Sequence, residues 1–259
     1  MSRADEHLDA WEAWKSSPWG RIRFALVADA LDEAVASLGD QPLRILDVGG
    51  ADGFETLPYA VRGHALTVAD PAEGFLDRGR AEAERLGVAD RVRWTTAGLD
   101  ELAEVGETAY DVVVCHFVLQ YRPEGALAAD LATLAGVTRS GGVVSLVCPN
   151  DAGAVLRTLT RQGPAAARAE LGRVTQRSHT FEHESRKLSH EDVAAGLAAV
   201  GLVEESWLGG RVANDLVADD DAKHDPTYFE ELLGLERELC RRDPYRGVGA
   251  FWQLTARRT

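Results

Sequence analysis

The run Arg44 to Gly53, RILDVGGADG, constrains the fold of this chain more than any other stretch, because its character changes three times within ten residues. Ile45, Leu46 and Val48 predict a short buried strand. Gly49, Gly50 and Gly53 predict a tight turn, and Phe54 to Ala60 opens a helical pattern. A strand, a glycine-rich turn and a helix form a cradle for a nucleotide. Glycine lets the backbone approach a ligand closely, and the unpaired N–H groups of a helix start favour polar or anionic ligand atoms.

The alternation that follows decides the fold class. Strands are predicted at 65–69, 92–95, 110–115 and 143–147, with helices at 73–86 and 126–138 and a Ser140-Gly141-Gly142 turn before the last strand. Short apolar strands alternating with helices predict an α/β fold, a Rossmann-like parallel sheet covered on both faces. Further strands at 202–208 and 250–256 bring the sheet to seven. Two helices at 5–39, separated by Ser16-Ser17-Pro18-Trp19-Gly20, make an N-terminal extension carrying Arg21 and Arg23. The 151–172 segment reads as helical, and 173–190 as a polar stretch with His179, His183, Arg186, Lys187 and His190. Helices are also expected at 189–199 and 228–240. We therefore expect a single domain over 1–259: a helical cap at 1–40, a cofactor-binding core at 41–148, an insertion at 149–190 and an acceptor-side part at 191–259.

Composition narrows the partners. A net charge of -14 argues against general affinity for DNA or any phosphate backbone, which rests on cationic neutralisation. No apolar run reaches the roughly 18 residues a membrane helix needs, and the first residues carry no secretory pattern, so a cytoplasmic protein is expected. Cys115, Cys148 and Cys240 lie far apart without CxxC pairing and are expected as reduced thiols. His179 and His183, with Glu182 and Glu184 nearby, raise a metal site; their order is not HExxH, and no metal is expected.

The chemistry of the cradle follows from two carboxylates. Asp70 ends the second strand, where a carboxylate can accept both hydrogen bonds of a ribose diol, and Pro71 follows it. Asp47 lies inside an apolar strand, where its charge is costly unless it orients a neighbour or meets a cation. The GxGxxG pattern of dinucleotide sites is absent, which disfavours a nicotinamide-dependent oxidoreductase.

At this point the sequence resembles a known family. Asp47 to Gly53 with Asp70, Ala97-Gly98-Leu99-Asp100, Tyr110 to His116 and Ser140-Gly141-Gly142 look like a class I S-adenosylmethionine-dependent methyltransferase. Gly20-Arg21-Ile22-Arg23, His116-Phe117-Val118-Leu119, Cys148-Pro149-Asn150 and Gly210-Arg211-Val212 with Asp215 are similar to bacterial tRNA 5-carboxymethoxyuridine methyltransferases. So is the stretch from Leu235-Glu236 through Cys240 to Tyr245 and on to Arg257. The resemblance implies S-adenosylmethionine as cofactor, Arg23 on its carboxylate, Asp47, Gly49, Gly50 and Ala51 around it, and Asp70 and Pro71 at the ribose. It places Gly98 and Leu99 by the adenine and His116 near the methionine end. Ala51 stands where many relatives carry glycine, a substitution expected to be harmless at negative φ.

A carboxylate acceptor, with a pKa of about 4, is ionised at neutral pH and needs no general base, but it needs a positive partner when buried. Arg211, Arg241 and Arg246 are candidates, Arg211 foremost, with Tyr245 as a hydrogen-bond donor. His116 could serve as a base for a hydroxyl or amine acceptor instead. Asp219-Asp220-Asp221 stands where a tRNA enzyme should be basic, so a small-molecule acceptor is favoured over tRNA. A non-catalytic binder of the cofactor is a third reading.

Overall fold

The computed structural model describes residues 3–104, 109–177 and 184–259. Helices α1 (Arg3–Ser16) and α2 (Pro18–Ala36) lead into β1 (Arg44–Val48). There follow α3 (Leu57–Val61), β2 (Ala65–Ala69), α4 (Glu73–Arg85), β3 (Val92–Thr95), β4 (Tyr110–His116), α5 (Leu127–Val137) and β5 (Thr138–Pro149). The remainder comprises α6 (Asp151–Gln162), α7 (Pro164–Glu170), β6 (Thr175–Arg177), β7 (Glu184–Arg186) and α8 (His190–Ala199). The last elements are β8 (Leu202–Gly210), α9 (Pro226–Leu239) and β9 (Phe251–Arg258). Seven strands form one sheet in the order β3-β2-β1-β4-β5-β9-β8, and β6 pairs with β7 separately. The neighbours among β1 to β5 run parallel, with Asp47 opposite both Val68 and Val114. The order reverses between β1 and β4. Ligands of such sheets lie beyond the carboxyl ends of the strands at that reversal.

Two compact units can be distinguished. One comprises residues 31–147, 191–206 and 254–259. Val112, Val113 and Val114 of β4 are all fully buried, as expected where a β-branched run lies in a sheet covered on both faces. Against the strands pack Leu31 and Val35 of α2, Tyr59 of α3, and Leu76 and Ala83 of α4. Each such large side chain contributes about 1.5–3 kcal/mol by leaving water. Asp111 ties the entry of β4 to its neighbours, accepting from the Arg44 N–H at 2.7 Å and from Arg139 at 2.5 Å.

The other unit comprises residues 1–30, 148–190 and 207–253. Its α9 buries Phe229, Leu232 and Leu233, with the Arg21 guanidinium 3.7 Å from the Phe229 ring. Trp252 is 1% exposed and donates its indole N–H to the Leu188 carbonyl at 3.0 Å. Gly153 approaches Gly249 so closely that a Cβ would stand 2.1 Å from the Gly249 carbonyl oxygen, so only glycine fits there.

Three local expectations are corrected. Pro18 does not break the N-terminal helices apart over five residues. It occupies the first turn of α2, where the missing N–H costs nothing, and Ser17 alone separates the two helices. Ser140-Gly141-Gly142 is not a free turn but part of β5, which starts at Thr138; Gly141 takes a φ of 73°, and the pairing of β4 with β5 shifts register there. The polar 173–190 stretch contains the paired strands β6 and β7, while His179 and His183 lie outside the described residues.

Candidate cofactor site

The cradle is built where β1 ends. Gly49 and Gly53 take φ of 68° and 71°, the left-handed region in which glycine is unstrained. At Gly49 a Cβ would lie 2.4 Å from Val118, in the loop after β4, so the absence of a side chain lets the two strand ends approach. At Gly50 it would lie 2.6 Å from Asp47 Oδ2. Asp47, 4% exposed, accepts from the Thr56 hydroxyl at 2.6 Å across the turn. The strand-borne carboxylate thus orients the turn, one of the two roles expected of it.

Asp70 braces the same turn from β2. Its Oδ2 accepts from the Ala51 N–H at 2.9 Å and its Oδ1 from the Ala72 N–H at 2.8 Å. A carboxylate offers about four acceptor positions, so both oxygens keep capacity for a ligand diol. Burial pushes the Asp70 carboxyl above the usual aspartate value, with the two backbone bonds opposing that push and Asp52 adding to it. A turn without side chains at Gly49, Gly50 and Gly53 and a buried carboxylate with spare acceptor capacity fit an adenosyl group.

Ala51 departs from expectation. Its φ is 49°, not negative, so its Cβ sits in a conformation that disfavours L-residues. Ala51→Gly is therefore expected to stabilise the protein by about 0.5–1 kcal/mol after allowing for the greater freedom of glycine in the unfolded chain, a shift readable as a rise in Tm.

His116 ends β4 with both ring nitrogens engaged. Nδ1 lies 2.8 Å from Glu55 Oε2 and Nε2 lies 2.9 Å from Ser145 Oγ. Gly98 donates its N–H to Glu101 at 2.7 Å, Leu99 is buried, and Pro71 is exposed beside Asp70. Glu55 and Thr56, each bonded to a predicted site residue, escaped the sequence reading; a polar pair inside the turn-to-helix segment was their only signal.

Arg23, Arg211 and Tyr245 belong to the other unit. Arg23 on α2 is 3% exposed, its guanidinium 4.3 Å from the Phe24 ring and 5.6 Å from that of Trp14. Arg211, at a φ of 58°, pairs with Asp215 through Nε at 2.9 Å and Nη2 at 2.6 Å. Arg157 joins the same carboxylate at 3.2 Å. Burial alone would raise the Asp215 pKa, but Arg211 above all, with Arg157 and Asn214, holds it at about 2. Glu236 accepts from the Val212, Ala213 and Asn214 N–H groups at 2.7–3.0 Å and so shapes the turn that bears Arg211. Burial raises the Glu236 carboxyl against those three bonds and the Arg211 charge. Tyr245 is 47% exposed; Arg246 pairs with Asp243 at 2.7 Å and lies 4.1 Å from the Trp207 ring. Among the described residues, no three His, Cys, Asp or Glu side chains converge as a metal site, and no helix is long and apolar enough to cross a membrane.

The methyltransferase domain family matches residues 45–142, the cradle and the strands around it. With this sheet order and this glycine turn, the chain belongs to the class I S-adenosylmethionine-dependent methyltransferases, and S-adenosylmethionine is its cofactor. Among relatives, it is 29% identical over 239 residues to the tRNA 5-carboxymethoxyuridine methyltransferase of Escherichia coli K12, covering 92% of this chain and 89% of that one. It is 30% identical over 181 residues to a ubiquinone biosynthesis O-methyltransferase of Rhizobium etli, covering 66% of this chain and 67% of the relative. The fold matches the Burkholderia thailandensis 1,6-didemethyltoxoflavin-N1-methyltransferase, solved with S-adenosylhomocysteine. The TM-score is 0.60 at 19% identity, over 99% of this chain and 85% of that one.

Proposed function

We propose that the enzyme methylates an oxygen, namely the carboxylate of a small organic acid, to give a methyl ester. The observation that supports this reading is the state of the cations in the unit formed by residues 1–30, 148–190 and 207–253. Arg157 and Arg211 share Asp215, while Arg161 and Lys223 share Asp220. Lys187 and Arg173 meet Glu170, and Arg237 meets Asp29. Cations committed to carboxylates, on a chain of net charge -14, give a polyphosphate little to displace counterions with.

S-adenosylmethionine supplies an electrophilic methyl group on a positively charged sulfur. The residues of this chain have only to hold it and to align the acceptor, and alignment supplies much of the acceleration in such a displacement. Asp70 would take the ribose hydroxyls, Asp47 and the glycines would shape the turn, and Arg23 would meet the cofactor carboxylate. Gly98 and Leu99 would border the adenine. His116, with a partner on each ring nitrogen, would orient rather than abstract a proton, which suits an acceptor already ionised at neutral pH.

A second reading, the wobble 5-carboxymethoxyuridine of tRNA, is favoured by one observation: the likeness to the tRNA enzyme runs over 92% of this chain, well beyond the cofactor-binding part. Filter binding against bulk tRNA separates the two. Weak binding is expected at physiological salt, and tight, steeply salt-dependent binding would overturn the small-molecule reading.

A further inference from the structure

We infer that Arg186 is the residue that receives the acceptor's carboxylate, an inference resting on the carboxylate reading above. Arg186 ends β7, opposite Thr175 of β6. Its Nε and Nη2 atoms are buried and have no hydrogen-bond partner among the described residues. Leaving a charged donor buried and unmet costs free energy in the unliganded protein, and such a cost persists at sites where a ligand supplies the missing group.

The backbone around Arg186 is fixed on both sides. The Lys187 N–H donates to the Val174 carbonyl at 3.0 Å, and the Leu188 carbonyl accepts from Trp252. Lys187 itself reaches Asp151 and, at 2.9 Å, Glu170, so the neighbouring cation is spoken for. Asp151 opens α6 three residues after Cys148, at the carboxyl end of β5, and the Arg186 charge acts on that thiol, opposing the upward push of its burial. Lys187 thus ties the Arg186 segment to the start of α6, two residues after β5 ends, and sheets of this kind take their ligands beyond the carboxyl ends of their strands. A guanidinium can give two parallel N–H bonds to a carboxylate, and a bidentate pair of this kind fixes orientation as well as charge.

Arg211, which the sequence resemblance favours for this role, is already held in that manner by Asp215. An incoming carboxylate at Arg211 would have to compete with a buried internal partner. At Arg186 it would replace nothing.

The substitution Arg186→Met keeps a long side chain and removes the charge. The Tm is expected to rise by ~2–5 °C, because an unmet buried cation is lost. S-adenosylmethionine affinity, measured by calorimetry on the full chain, is expected to stay within twofold. Transfer of labelled methyl from S-adenosylmethionine to the acid fraction of a cell extract is expected to fall at least 100-fold, with Arg186→Lys retaining part of it. A lower Tm with transfer retained would overturn the inference and make Arg186 a structural residue. Unchanged transfer at unchanged Tm would overturn it equally. Failure of the carboxylate reading itself has a different signature: the wild-type product would keep its label in mild alkali, whatever the Arg186 variants do.

Discussion

Asp70→Ala is expected to weaken S-adenosylmethionine binding at least ~100-fold, measured by isothermal calorimetry, because it removes two charge-assisted hydrogen bonds of about 1.5–3 kcal/mol each. The carboxylate also braces the Ala51 and Ala72 N–H groups, so its loss loosens the turn it serves. Asp70→Asn keeps the shape but turns an NH2 toward one of those donors, and an intermediate loss is expected. The raised pKa of Asp70 fixes a pH dependence. Its contribution to folding is fully present below the ordinary aspartate value and is lost as pH rises through the folded value, because the buried carboxylate is then charged. Cofactor binding runs the other way. It requires the charged form and should weaken as pH falls through that same raised value, before an ordinary aspartate would titrate. An affinity that stays flat until an ordinary aspartate would titrate would contradict the assignment.

Asp215→Ala is expected to cost about 1–3 kcal/mol of stability, since it leaves the half-buried Arg211 and the more exposed Arg157 without their shared buried carboxylate. Thermal unfolding should show a Tm lower by ~2–12 °C. The folded pKa of about 2, set against the ordinary aspartate value of 3.8, gives the wild type roughly 2 kcal/mol that is present above pH 4 and lost as pH falls toward 2. That acid-dependent component should vanish in Asp215→Ala. A variant with wild-type Tm would show that the two arginines find partners elsewhere, and Arg211 would then regain its candidacy for the acceptor.

How far the sequence could be read depended on whether the signal was local. The second and third strands, Ala65 to Ala69 and Val92 to Thr95, are legible to the residue, because apolar run, glycine and proline punctuation all lie within a few positions. The position of Asp70 at the end of the second strand, beside the glycine turn, was legible for the same reason. Ala51 was not, because its positive φ is imposed by the turn that Asp70 braces, nineteen residues away. The β6–β7 pair was hidden by composition; three-residue strands rich in Arg, Gln and Ser carry no period-two apolar pattern. The commitment of Arg211 depends on Arg157 and Glu236, 54 and 25 positions distant, and nothing in either segment announces the pairing. Glycine at 50 was legible as a turn residue, yet its reason, a carboxylate 2.6 Å from where a Cβ would be, lies in the folded chain.

The measurement that tests the central claim most directly is transfer of label from methyl-labelled S-adenosylmethionine to fractionated cell extract, followed by mild alkali. Label is expected in the low-mass acid fraction, insensitive to ribonuclease and released by alkali as methanol. Label that sediments with RNA, or that survives alkali as an ether or amine, would contradict it.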